Sequence, residues 1–203
     1  MVAAGTGSRF GGAKQFADLG GRRVADWAIE AALSSTDGVV LVVPSGGPLE
    51  PGTVTGGATR AESVRCGLAA VPADAEIVVV HDAARPFAGA ALFDAVVDAV
   101  RAGADGAVPA IPVADTVKQI DADGVVIATP ERATLVAVQT QQAFRAGALR
   151  RAHDSGAEGT DDASLVEADG GRVVTVAGDP ANRKLTVAED LEWARQRVVG
   201  ERR

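Results

Sequence analysis

The chain has 203 residues, 47% hydrophobic and 23% charged, a balance that suits one folded domain with a full core and excludes intrinsic disorder. A formal net charge of −7 excludes a general nucleic-acid or membrane-surface binder, so any cationic site must be local. There is no apolar run long enough for a membrane span and no basic-then-apolar signal segment, and the single Cys66 cannot close an intrachain disulfide; together these predict a cytoplasmic protein.

In chain order, Met1 to Ala4 reads as the end of a buried strand and is too short for a whole one, so a few further residues are expected upstream. The stretch from Ala3 to Lys14 follows, with Gly5, Gly7, Gly11 and Gly12 around Arg9. Its glycines let the backbone bend and bring N–H groups close to an anion, and Arg9 and Lys14 add a planar fork and a compact ammonium. It reads as a cradle for a nucleoside triphosphate; the alternative is a flexible glycine-rich segment with two solvated charges. It is not a Walker loop, because Gln15 follows Lys14. Nor is it the dinucleotide fingerprint, because Phe10 stands where the third glycine belongs. Lysine is scarce, three against 17 arginines, which marks Lys14, Lys118 and Lys184 as candidates for work that needs an ammonium.

The periodicity then predicts a helix from Val24 to Ser35, a buried strand from Val39 to Val43 stopped by Pro44, and a loop from Ser45 to Pro51. A short extended piece, Thr53 to Thr55, and a helix from about Thr59 to Ala70 with Cys66 on its apolar side come next. A strand over Ile77 to Val80 ends in the polar run His81 to Pro86, and a helix from about Gly89 to Ala102 leads to a strand over Gly106 to Ile111. Strands alternating with loops and helices predict an α/β fold with right-handed crossovers and its ligand at the carboxyl ends of the strands. Between about 112 and 140 the pattern changes: Asp115 to Ile120 and Val125 to Thr129 flank Asp121-Ala122-Asp123-Gly124, a hairpin that is poorly stable alone and packs on a partner. Helices at about Arg145 to Ser155 and Asp161 to Ala168, a strand from Val173 to Ala177 and a helix from about Ala188 to Val199 complete the chain.

Singly, these features have plain structural readings. Asp82 and Arg85 read as an ion pair at a helix start, His81 as a satisfied structural histidine, His153 as solvated on a surface helix, and Thr160-Asp161-Asp162 as a helix cap. Taken in order, six segments resemble the 2-C-methyl-D-erythritol 4-phosphate cytidylyltransferase family across essentially the whole chain. They are Ala3 to Arg9 with Lys14-Gln15, Gly56 to Val64, His81 to Pro86, Asp115 to Lys118, Thr160 to Ser164 and Asn182 to Thr186. The resemblance implies a single nucleotidyltransferase domain over 1–203 with a Rossmann-like, mostly parallel sheet flanked by helices. It also implies an inserted β-arm that joins a homodimer. It implies CTP and a polyol phosphate as substrates and a divalent metal, magnesium, held mainly by the CTP phosphates and by no protein ligand.

By the same resemblance Arg9, Lys14, Arg132 and Lys184 are catalytic, with Arg132 and Lys184 also positioning the acceptor. Ala3, Ala4, Gly5, Gly7, Arg9, Lys14, Gly57 and Ser63 bind CTP, Gly57 and Ser63 reading the cytosine. Asp82 and Arg85 meet the sugar alcohol, and Thr116 its phosphate. Three departures stand out: the early start relative to the family's first strand, Ala13 where the family commonly has proline, and the extra glycines Gly11 and Gly12. The competing readings are a cytidylyltransferase for another polyol phosphate such as ribitol 5-phosphate, a non-catalytic CTP-binding regulator, and a purely structural α/β subunit.

Overall fold

The computed structural model describes every residue except Thr6, Ser8, Arg9, Pro48, Ser155, Arg202 and Arg203, together with the side chain of Glu201. Arg9, the end of the helix expected to reach Ser155 and part of the loop around Pro48 therefore lie outside the described residues. The helices are α1 (Val24–Leu33), α2 (Arg60–Ala70), α3 (Ala90–Arg101), α4 (Ala146–Asp154), α5 (Asp162–Ala168) and α6 (Ala188–Glu201). The strands are β1 (Leu41–Val43), β2 (Thr53–Thr55), β3 (Ile77–Val80), β4 (Gly106–Pro112), β5 (Gln119–Ile120), β6 (Val126–Ala128), β7 (Val136–Val138), β8 (Gln142–Arg145) and β9 (Val173–Ala177).

The class is α/β, as expected, and most core strands run the same way. β1 pairs parallel with β2, Val2 bridges both Val42 and Asp82 in parallel, and β4 pairs parallel with β9. The exceptions are β7, antiparallel to β4 at the sheet edge, and β8, which lies antiparallel between β3 and β4. Nothing in the periodicity announced β8, because Gln142-Ala143-Phe144-Arg145 has no β-branched residue and one polar side chain turned into the core. β7 and β8 form an antiparallel run against β4 that is broken at 139–141, where Gln141 takes φ 100° while fully buried. The main core joins α2, α4 and α5 to the sheet through Val64, Leu68, Val80, Phe144, Leu149 and Val166.

Caps account for two helix starts beside the site. Thr59 accepts from Glu62 N, and the Glu62 carboxylate returns to Thr59 N, a reciprocal box that opens α2. Asp161 Oδ1 accepts from Ser164 N and opens α5, the cap expected from Thr160-Asp161-Asp162. Among the described residues, β5 and β6 pair only with each other, in a hairpin that exposes Ile120, Val125, Val126 and Ile127. The hairpin is shorter than the sequence pattern predicts. No helix among the described residues is long and apolar enough to cross a membrane.

Candidate active site

The expected nucleotide stretch, the Gly57 loop and the ends of β3 and the Lys184 segment converge on one cavity of about 350 Å³. Its lining includes Ala3, Ala4, Gly5, Gly7, Lys14, Gly57, Ser63, Asp82 and Lys184. These fall at the carboxyl ends of parallel strands, where ligands enter α/β sheets. Arg60 and Gln15 line it too, and neither was expected in the site.

The glycine stretch is more ordered than its composition suggests. Gly7 holds φ 64°, and a Cβ there would fall 1.8 Å from the Gly12 carbonyl oxygen, so only glycine closes this turn. The amides of Phe10, Gly11 and Gly12 all turn to the Gly7 carbonyl at 2.8, 3.0 and 3.3 Å. Those three N–H groups are thus engaged by the loop itself, which narrows the anion cradle to the remaining amides and to side chains. Gln15, buried, donates from Nε2 to the carbonyls of Ala3 and Gly5 at 2.5 and 3.0 Å and braces the strand end against the loop. The companion loop is equally tight: a Cβ on Gly56 would meet Ala4 Cβ at 2.6 Å and Ser63 Oγ at 2.7 Å.

Asp82 and Arg85 do not form the ion pair their spacing suggested. Asp82 Oδ2 accepts from Lys184 Nζ at 2.6 Å, across 102 residues of sequence, and Oδ1 lies 3.8 Å from Arg60 Nε. Burial pushes the Asp82 carboxyl up, yet Lys184 and Arg60 outweigh it and hold the group below the usual carboxylate range. Arg85 is not among the cavity-lining residues. Its Nη1 donates to the Asn182 carbonyl at 2.6 Å, its Nε is buried without a hydrogen-bond partner, and burial lowers its affinity for a proton. Thr116 and Arg132 also lie away from the cavity. Both sit between β4 and β7, where Arg132 Nη1 donates to the Ala114 carbonyl at 2.8 Å.

The Lys184 segment carries no regular structure but is stitched down at both ends. Asn182, fully buried, donates from Nδ2 to Gln141 Oε1 at 2.8 Å. Leu185 N reaches the Ala84 carbonyl at 2.8 Å, and Asp190 Oδ2 accepts from Thr186 N and Val187 N at 2.7 and 3.0 Å. No local sequence signal marks Gln141 or Asn182 as partners, since they are 41 residues apart.

The two histidines divide. His81 is structural, as expected: buried, edge-on to Phe93 at 5.4 Å, and within 3.3 Å of the Arg85 carbonyl. Burial lowers its pKa from 6.5 to about 4 against the pull of Asp82. The unfolded chain therefore binds a proton there from about pH 6.5 downward that the folded chain refuses until about pH 4. This ring's contribution to stability accordingly falls as pH drops through that window and levels off below it, by about 3 kcal/mol. Denaturant unfolding followed across the window is expected to show a smaller loss in His81→Gln than in the parent chain; equal losses would rule the ring out. His153 was expected to be solvated on a surface helix. It is buried instead, because α4 packs on α5 and turns this face to Asp162, whose Oδ1 lies 3.0 Å from Nε2. Cys66 is half-buried rather than a full core residue.

Among the described residues, no three His, Cys, Asp or Glu side chains cluster as a protein-held metal needs, and Asp82 is already engaged by two cations. The donor set therefore does not fit a metal caged by protein.

Comparison with known proteins gives one answer. The family model described as IspD, 2-C-methyl-D-erythritol 4-phosphate cytidylyltransferase, matches residues 1–199. A protein of Nocardia farcinica with that name is 46% identical over 208 residues, covering 96% of this chain and 90% of its own. One of Rhodococcus opacus is 47% identical over 212 residues, covering 98% and 93%. The crystal structure of 2-C-methyl-D-erythritol 4-phosphate cytidylyltransferase from Thermus thermophilus superposes with a TM-score of 0.82 at 33% identity, covering 98% of this chain and 97% of that one. With the family model matched over residues 1–199 and relatives this similar along nearly the whole length, the chain belongs to the 2-C-methyl-D-erythritol 4-phosphate cytidylyltransferase family.

Proposed function

We propose that the cavity transfers CMP from CTP to 2-C-methyl-D-erythritol 4-phosphate and releases pyrophosphate, a step in isoprenoid precursor biosynthesis. The observation that carries this reading is the convergence of Lys14, Lys184, Asp82, Gly57 and Ser63 on a single cavity. A phosphate oxygen of the acceptor attacks the α-phosphorus of CTP; the bond to the β-phosphate oxygen breaks, and pyrophosphate leaves with the electron pair. The nucleophile is already an anion, so no strong general base is needed. The barrier lies in bringing two polyanions together and in holding the charge that grows on the α-phosphate and the leaving group.

Lys14, with Arg9 beside it in sequence, is assigned to that charge, and Lys184 to the acceptor phosphate. Asp82 orients the Lys184 ammonium and meets the sugar alcohol, while Arg85, expected to share that contact, lies off the cavity and ties down the Asn182 carbonyl beside the Lys184 segment. Gly57 and Ser63 read the neutral cytosine edge, which suits backbone groups and a hydroxyl better than charge; Ala3, Ala4, Gly5 and Gly7 complete that wall. A divalent cation is taken to arrive on the CTP phosphates and to neutralise part of their charge.

The remaining assignments are Thr116 and Arg132, which we place in the site of a second copy within a homodimer. Support comes from the exposed apolar residues on the 112–140 insertion, Ile120, Val126, Ile127, Val136 and Val138, which a monomer leaves in water. The setting proposed is cytoplasmic, where the free thiol of Cys66 is at home. Pyrophosphate release tests the reading, with CTP and one polyol phosphate offered at a time. Release with methylerythritol phosphate and none with ribitol 5-phosphate is expected. Release with ribitol phosphate alone moves the specificity, and release with neither overturns the proposal.

A further inference from the structure

Asp162 belongs to no expected substrate contact, yet it is fully buried beside the site at the first position of α5. Its Oδ1 faces His153 Nε2 at 3.0 Å, and its Oδ2 lies 2.7 Å from Arg60 Nη2. At that distance the opposite charges of Arg60 and Asp162 attract directly in a buried setting. From Arg60 the line continues through Nε to Asp82 Oδ1 at 3.8 Å, and from Asp82 Oδ2 to Lys184 Nζ at 2.6 Å. Two carboxylates and two cations thus alternate from the buried histidine to the cavity wall.

A guanidinium that lines a pocket for two polyanions is itself an attractive fork for phosphate. Something must hold it back if it is to serve Asp82 instead. We propose that Asp162, with His153 behind it, is a positioning residue that fixes Arg60 so that Asp82 remains free to orient Lys184. This rests on the assignment of Lys184 to the acceptor phosphate. Burial pushes the Asp162 carboxyl up, but the hydrogen bond from His153 and the charge of Arg60 hold it below the ordinary range, so the anion that grips Arg60 persists. With a neutral residue at 162, Arg60 is left beside Asp82, its other ion-pair partner, and competes with Lys184 for that carboxylate. His153 contributes a donor at Nε2 while its Nδ1 has no hydrogen-bond partner. A side chain offering one N–H at that reach therefore suffices.

The chain has only three lysines, which gives a direct readout. Protein labelled with 15N at lysine Nζ is compared for the parent chain, Asp162→Asn, His153→Leu and His153→Gln, with Lys184→Gln identifying the Lys184 ammonium signal. Asp162→Asn and His153→Leu are expected to move that signal and leave Lys118 in place. They should lower kcat/KM for methylerythritol phosphate roughly tenfold while KM for CTP changes less than about twofold. His153→Gln is expected to restore both readouts. Should Asp162→Asn fail to fold, His153→Leu and Arg60→Lys carry the same comparison. A Lys184 signal that stays put in a folded variant overturns the inference. So does equal loss towards both substrates accompanied only by a lower Tm, which marks a structural role. Full activity in Lys184→Gln would instead remove the assignment of Lys184, and the position of the signal would still decide whether Asp162 controls it.

Discussion

Lys14→Ala lowers turnover by roughly a hundredfold or more, the scale of losing one preorganised donor to transition-state charge. The lysine opens a single turn of 3-10 helix, Lys14–Phe16, and the residue after it, Gln15, is pinned to the carbonyls of Ala3 and Gly5. The ammonium is therefore presented by a stiff frame, which is what makes a fixed charge effective: no reorganisation is left for the moment of reaction. The same stiffness predicts that Lys14→Arg recovers little. A guanidinium is larger and planar, and the turn closed by Gly7 leaves the backbone no slack to retreat. Steady-state pyrophosphate release from both variants is the measurement. Near-normal turnover in either removes Lys14 from the mechanism.

A second large effect, in the opposite direction, is expected when two impaired enzymes are mixed. Lys14→Ala and Arg132→Ala preparations, unfolded together and refolded, should regain roughly a quarter of wild-type activity if Arg132 serves the neighbouring subunit. About half of randomly paired dimers are mixed, and each then holds one site with both lesions and one with neither. The geometry within one chain motivates the test. Arg132 is exposed on the insertion and bonded to the Ala114 carbonyl, and it does not line the cavity that holds Lys14. If Arg132 acted in its own subunit, every site would carry one lesion and mixing would restore nothing. A refolded mixture shown to contain heterodimers but lacking recovered activity would end the shared-site proposal.

The helices, most core strands and the glycine-bearing parts of the cavity wall, though not Gln15 or Arg60, were legible in the sequence because each rests on local signals: apolar period, glycine at a turn, a capping residue. What escaped is non-local. The spacing of Asp82 and Arg85 offers an ion pair as its plain local reading, whereas the ammonium partner of Asp82 is 102 residues away and arrives only through the fold. β8 was hidden because its Gln142 is a core residue by virtue of its partners, Nε2 donating to Asp161 Oδ2 and Oε1 accepting from Ala163 N. His153 was misassigned for a related reason. A helix with Arg150, Arg151 and His153 near its end looks solvated until a neighbouring helix brings a carboxylate to the ring. Periodicity reports which side of an element is apolar; it does not report that a polar side chain has found its complement inside.

The stitching of the Lys184 segment has a kinetic meaning. A stretch without helix or strand would ordinarily fray on its own, with a small opening free energy. This one has Asn182 and Leu185 fully buried on either side of the lysine, tied to Gln141 and to Ala84. Lifting Lys184 away from the cavity therefore means opening part of the core, not swinging a surface loop. Any movement of the Lys184 ammonium is therefore left to the rotamers of its half-exposed side chain, on a backbone that stays put.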